Sequence, residues 1–407
     1  MHRVITFFNS FQPFMNPVSP VFAAVGLLLA FAVTFVLSRL VPVRFPAGRV
    51  SSIDGLRGYL GFAVFLHHAA IWFFYLRSGE WALPPSRLYT HLGQSGVALF
   101  FMITGFLFYA KLLDARGHPT NWPRLYIGRI FRLAPLYGLA LMGLLVVVAV
   151  LSKGVLAQPW PALAAGVGRW LTFTVLGAPD LNGVLRTSLI LASVTWTLSY
   201  EWLFYALLPL LALTTVGQRP ASTRPAWRWL ALGLAALVLA APLGLSWRFL
   251  AAFAGGVVAA LLQRSSAVRA AALSPWASVL VLVCGALVVS CYDKAFSAAP
   301  LALLTLAFSL VASGASMFGL FTHTTSRLLG ELTYGIYLLH GLLLFVLFRF
   351  VIGFDAAARF SPEAHWAAML ACVPLLLSTT LLTFRFVEQP AIAWGRRLAG
   401  RTDRPSP

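Results

Sequence analysis

IDGLRGYLGFAVFLHH, residues 53 to 68, is an apolar run that opens on an acid and an arginine and closes on two histidines. Such a run reads as a helix buried in lipid. A charged or imidazole side chain costs a few kcal/mol at bilayer depth unless it faces a bundle interior, a water-filled cavity or a partner. Arg57, His67 and His68 are therefore functional candidates. Arg57 and His68 are eleven positions apart, about 1100° of helical rotation and within about 20° of three whole turns, so they share one face. His67 lies about 80° off that face and is expected to bond a neighbouring helix instead. A rise of about 1.5 Å per residue places His68 about 16 Å above Arg57, close to the middle of a core about 30 Å thick. One face thus links an anion-binding position near one surface to a mid-membrane imidazole able to accept a proton near neutral pH.

The rest of the chain repeats the apolar theme. Of 407 residues, 60% are hydrophobic and 10% charged, a balance that excludes an ordinary soluble domain and implies a polytopic membrane protein. Apolar stretches near 20 residues recur at 20–38, 57–77, 94–113, 133–151, 196–215, 227–244, 246–262, 274–291, 299–319, 328–349 and 364–386, which predicts an all-α integral membrane fold of about eleven helices. Ten-residue alternating strands are absent, which argues against a membrane β-barrel. The run VFAAVGLLLAFAVTFVL is too long for a signal-peptide core and has its positive flank behind it, so it reads as a retained helix.

The net charge of +19 would suggest nucleic acid for a soluble chain. Here the cations are mostly arginines gathered between apolar runs, so they report orientation and no nucleic-acid partner is expected. Arg39/Arg44/Arg49, Lys111/Arg116/Arg124/Arg129/Arg132, Arg219/Arg224/Arg228, Arg264/Arg269, Arg327 and Arg385/Arg396/Arg397/Arg401/Arg404 fall in every second loop, which predicts N-out, C-in. The intervening loops hold Glu80, Asp180, Asp293, Asp355 and Glu363. The longest of them, Ser152 to Val194, is expected to lie along the membrane and cover a site. Residues 1–45 read as an extra N-terminal helix, 46–395 as the membrane domain and 396–407 as a basic cytoplasmic tail. Cys284, Cys291 and Cys372 lie in apolar runs without CxxC spacing, so buried thiols are expected and no disulfide or metal site.

Three further constellations stand out. In YIGRIFRLAPLY, Arg129 and Arg132 are three apart and share a helix side, an arrangement suited to phosphate as well as to simple anchoring. In TWTLSYEWLFYALLP, Glu201 sits among Trp196, Trp202 and Tyr205, where it would pair with a histidine or hold a sugar hydroxyl, and the aromatics fit an interfacial belt or a carbohydrate platform. LGELTYGIYLLHGLL brings Glu331 near an interface and His340 to middle depth, as a second relay or a helix-to-helix hydrogen bond. Intramembrane histidines and a glutamate also suit a proton-coupled secondary transporter or flippase, although no matching pair of broken helices is visible. A metal-dependent desaturase fits less well, because the eight histidines are mostly scattered.

Taken in order, these pieces resemble the membrane-bound acyltransferase family 3, the integral-membrane O-acyltransferases. IDGLRGYLGFAVFLHH resembles the opening motif of arginine, ten residues and histidine, on Arg57 and His68. GVALFFMITGFLFY resembles GVxLFFxxSGFL with Thr104 for serine, and RIFR supplies Arg129 and Arg132. WTLSYEWLFY resembles WSLSxEWxFY through Glu201. LTYGIYLLH resembles SYxxYLxH through His340, with Gly341 and Leu342 where a proline commonly follows.

The resemblance implies a ten-helix acyltransferase core plus one N-terminal helix, in the inner membrane of a bacterium. It implies cytosolic acyl-CoA, most simply acetyl-CoA, as donor substrate, with no permanently bound cofactor. The implied acceptor is a hydroxyl of a cell-surface or lipid-linked carbohydrate. His68, Arg57 and Glu201 would be catalytic, with His68 as general base or transient acyl carrier. Arg57, Arg129 and Arg132 would hold the donor; Asp54, Trp196, Tyr205 and His340 would orient a histidine or the acceptor. Some members carry an esterase-like domain after the membrane part; here that partner would be a separate periplasmic protein.

Overall fold

The computed structural model describes residues 16–41, 45, 48–115, 120–215, 226–240 and 244–401. Arg44, Arg116, Arg219, Arg224 and Arg404, the first fifteen residues of the N-terminal segment and the tail beyond 401 lie outside them. The described chain is helical, and its only β feature is an isolated bridge between Leu181 and Val184. In order the helices are α1 (Pro20–Leu40), α2 (Ser51–Ser78), α3 (Arg87–Asp114), α4 (Trp122–Leu151), α5 (Trp160–Leu171), α6 (Trp196–Leu213), α7 (Ala226–Ala240), α8 (Trp247–Leu262), α9 (Ser266–Ala272), α10 (Pro275–Cys291), α11 (Ala298–Ser313), α12 (Thr324–Glu331), α13 (Thr333–Val346), α14 (Phe354–Ala357), α15 (Pro362–Thr383) and α16 (Gln389–Arg401). π-Helical segments follow α13 at Leu347–Ile352 and α15 at Phe384–Glu388.

Each of the eleven expected spans coincides with helix. Seven stretches among the described residues are long and apolar enough to cross a bilayer, the pair α8–α9 is one more, bent by 103°, and three shorter apolar helices accompany them. The differences lie at the ends. α2 begins six residues before Arg57, and α4 begins at Trp122, so Arg129 and Arg132 lie two turns inside a helix rather than at its start. Asn121 caps α4, its Oδ1 accepting from the Arg124 amide, and a capped, proline-led first turn lets a helix start outside the apolar zone. Residues 396–401 continue α16, which packs back on α4 with Trp394 edge-on to Phe131 at 5.6 Å. Cys284 and Cys372 are buried, but Cys291 is exposed, a correction to the buried thiol expected there: it is the last residue of α10 and points away from the bundle.

α2 is central. It is apolar on all sides, which fits a helix surrounded by others. On one side it joins α1, α4, α13 and α15 in a shared core, and on the other α3, α6, α8 and α11. The glycines of the DGLRG stretch bring α2 against α12: a Cβ on Gly58 would lie 2.7 Å from the Leu329 and Gly330 backbone. Gly58→Leu is expected to force the two helices apart and cost about 1–3 kcal/mol, read as an earlier heat-aggregation midpoint in detergent; an unchanged midpoint would mean that the contact has slack.

Candidate active site

The start of α2 and the beginning of α4 define one end of the bundle, together with α12 and the π segment after α15; we call it the arginine end. The loops after α2 and α10 and the N-termini of α6 and α8 define the other, the histidine end.

At the histidine end, the two imidazoles separated by 272 positions meet. His340 Nε2 and His68 Nδ1 are 3.0 Å apart, and His68 Nδ1 is also 3.0 Å from the Val64 carbonyl. His340 Nδ1 is 2.8 Å from the Ile336 carbonyl. A carbonyl only accepts, so His340 Nδ1 carries the proton and its Nε2 is the acceptor in the neutral ring. His68 Nδ1–H must then donate, which leaves the His68 Nε2 lone pair free. That nitrogen has no hydrogen-bond partner and is not sealed from space. Trp81 stacks on the ring at 6.0 Å and 17°. His67 instead donates from Nδ1 to the Tyr89 carbonyl at 2.7 Å, the interhelical role expected of it. Gly93 opposite it leaves room for the ring.

His68 lines a cavity of about 420 Å³ whose walls include Trp81, Trp196, Phe249 and the segment Ala192–Val194. That segment ends the long Ser152–Val194 loop and includes Ala192 and Ser193 at φ 49° and 56°, a left-handed conformation rarely adopted by non-glycine residues. Gly341 on α13 allows the close approach, because a Cβ there would strike the Leu191 and Ala192 backbone.

At the arginine end, Arg49 binds both nearby carboxylates, Asp54 at 2.5 Å and Glu331. Arg327 adds a weaker contact to Asp54 at 3.8 Å. Arg57 is left with no ion pair or hydrogen bond among the described residues, and the strongest charge acting on it is the like charge of Arg132. Arg132 has one distant partner, Glu388, at 3.5 Å. Arg129 lies over the Phe108 ring at 5.0 Å. Half-buried guanidinium groups that repel one another, one of them unpaired, form a site for an anion with several oxygens.

Glu201 lies between the two ends. Its Oε1 accepts from Tyr205 at 3.1 Å and from Thr104 at 3.4 Å, and it senses the charges of Arg129 and Arg57. Neither histidine is among its partners. Nearby, Tyr337 exchanges a hydrogen bond with Thr197 at 2.8 Å and donates to the Val194 carbonyl at 3.0 Å, which ties α13 to α6 beside the cavity.

The structure therefore groups the expected residues in two sets. His68 and Trp196 line the cavity, with the buried His340 bonded behind His68; Arg57, Arg129, Arg132 and Asp54 belong to the arginine end, with Glu201 and Tyr205 on the arginine side of the space between. Asp54 is held by Arg49, far along α2 from His68. The sequence reading missed Arg49 as the residue that removes competing carboxylates, Trp81 as the ring against His68, and Glu388. Glu388 is 1% exposed, in a π-helical turn of the kind often found at functional sites; an acid two residues beyond an expected span end was the available signal.

Comparison with known proteins identifies the family. Residues 50–386 match the family model for acyltransferase family 3, described as an acyltransferase domain. Acyltransferase MdmB of Streptomyces mycarofaciens is 26% identical over 391 residues, covering 87% of this chain and 93% of the relative. No solved structure gives a significant match. The matched region begins just ahead of α2, after α1, and ends inside the π segment that carries Glu388 into the arginine cluster. This multi-pass helical membrane protein belongs to acyltransferase family 3.

Proposed function

We propose that this acyltransferase moves an acetyl group from cytosolic acetyl-CoA to a hydroxyl of a cell-surface or lipid-linked carbohydrate, in the inner membrane of a bacterium, with its arginine end inward. The observation that carries the reading is the pairing of an unpartnered Arg57 with a His68 whose free Nε2 faces a cavity at the opposite end, along one helix face. Arg57, Arg129 and Arg132 hold the phosphates of the donor while its slender arm spans the about 16 Å to His68. The acceptor hydroxyl enters the cavity, and His68 Nε2 takes its proton as the oxygen attacks the thioester carbonyl. The C–S bond breaks, the thiolate takes the proton from the imidazolium, and ester and free coenzyme A result. Glu201 and Tyr205 line the route of the acyl arm. A separate periplasmic protein would present or process the acceptor.

Labelled acetyl-CoA supplied to inverted membrane vesicles is expected to place alkali-labile label on carbohydrate. Carbohydrate movement across the membrane without an acylated product would overturn the proposal.

His340 acts on this reaction as a positioning residue, by fixing the tautomer of His68. His340→Phe is expected to lower the transfer rate about 10- to 100-fold without changing the donor concentration needed. His340→Gln, which keeps an acceptor oxygen for His68 Nδ1–H, is expected to recover part of the loss. Equal activity in the two variants would reduce His340 to packing.

A further inference from the structure

We infer that the cavity above His68 selects an acceptor bearing an anionic group, a sugar acid being the chemistry that fits. The inference rests on the acyl-transfer reading for the role of the cavity, and it adds the class of acceptor.

Two cations line this cavity, Arg248 at the start of α8 and Lys294 in the loop after α10, and no carboxylate does so among the described residues. Neither side chain makes an ion pair or hydrogen bond there. The acids close by in sequence are accounted for: Asp293 is bound by Arg87 at 2.7 Å, and Glu80 is exposed outside the lining.

Lys294 is also held in place. The last turn of α10 and the loop that carries Lys294 are fastened to α3 at four points. Arg87 donates to the Ser290 carbonyl at 2.6 Å and pairs with Asp293. His91 donates from Nε2 to the Tyr292 carbonyl at 2.7 Å, and Gln94 accepts from the Ala295 amide at 3.0 Å. Lys294 is left with its ammonium uncommitted, in the wall of the space that His68 opens onto. A lysine that served only to touch lipid headgroups would need no such frame.

The remaining walls supply the complement. Trp196, Phe249 and Phe296 form a continuous aromatic shelf, with centroids 4.8 Å and 4.6 Å apart, and Trp81 covers the imidazole from another side. An aromatic shelf takes the apolar face of a sugar ring, while two uncompensated cations take a carboxylate through charge-assisted hydrogen bonds. Together they would hold a ring and its acid so that a hydroxyl is left for His68 Nε2.

The test measures binding without donor, so it stands apart from the acyl-transfer reading, which the labelled acetyl-CoA experiment decides. The full chain in phosphatidylcholine nanodiscs is titrated calorimetrically with 4-nitrophenyl β-D-glucuronide and with the uncharged 4-nitrophenyl β-D-glucoside. The glucuronide is expected to bind at least about tenfold more tightly. In the double variant Arg248→Gln/Lys294→Gln that preference is expected to shrink to about twofold or less, with glucoside binding retained as evidence of an intact cavity. Equal binding of the two probes, no binding of either, or a preference that survives the double substitution would overturn the inference. So would loss of the preference in discs containing phosphatidylglycerol, because the cations would then be lipid headgroup ligands.

Discussion

His68→Ala is expected to abolish acyl transfer, by about a thousandfold or more, in a protein that still inserts and accumulates. The ring hydrogen-bonds to the rest of the bundle through one nitrogen, shared between a carbonyl of its own helix and His340. Losing that hydrogen bond costs about 1 kcal/mol, a small penalty beside the packing of α2 in two cores. The other nitrogen is the free base facing the cavity. His340 is fully buried and outside the cavity lining, and His67, which also lines the cavity, is fixed through Nδ1 to the Tyr89 carbonyl and turned off the face shared by Arg57 and His68. The measurement is transfer of label from acetyl-CoA by matched amounts of membrane-inserted protein. Wild-type activity in the variant would place the chemistry elsewhere.

The second large effect is expected at Arg57. Arg57→Ala should raise the acetyl-CoA concentration for half-maximal rate about 10- to 100-fold, the loss of one charge-assisted contact worth about 1.5–3 kcal/mol. Because Arg57 has no carboxylate partner, its removal leaves no buried anion behind. Arg49→Ala provides the contrast. It strips the cation from Glu331 and the nearer of two from Asp54, leaving Arg327 at 3.8 Å; the two acids are 9% and 4% exposed, and accumulation is expected to fall, since an orphaned buried charge is strongly destabilising. Arg57→Lys should recover the charge but only part of the affinity, because an ammonium lacks the planar fork. An unchanged donor requirement in Arg57→Ala would return this arginine to anchoring.

Local physics was readable directly. Apolar run length located the helical spans, and a period of 3.6 residues placed Arg57 and His68 on one face with His67 turned toward a neighbour. The family motifs pointed to Glu201 and His340, but without saying what they touch. The positive-inside pattern treated every arginine alike, so it could not separate Arg49, which neutralises two acids, from Arg57, which is left free. The aromatic stretch around Glu201 read as one unit, yet the helix carries Trp196 into the cavity and Tyr205 to the arginine side, because residues nine apart on α6 lie at different depths.

By itself, then, the sequence determined which segments enter the membrane and which polar groups enter with them, because hydropathy and helical period are properties of neighbours along the chain. Only the tertiary structure decided which of those groups are partners: the His68–His340 contact, the capture of Asp54 and Glu331 by Arg49, and the exposure of Lys294 to the cavity. Those outcomes depend on helices far apart in sequence meeting at small residues such as Gly58 and Gly341. Which charges are cancelled and which are left for a ligand follows from that packing.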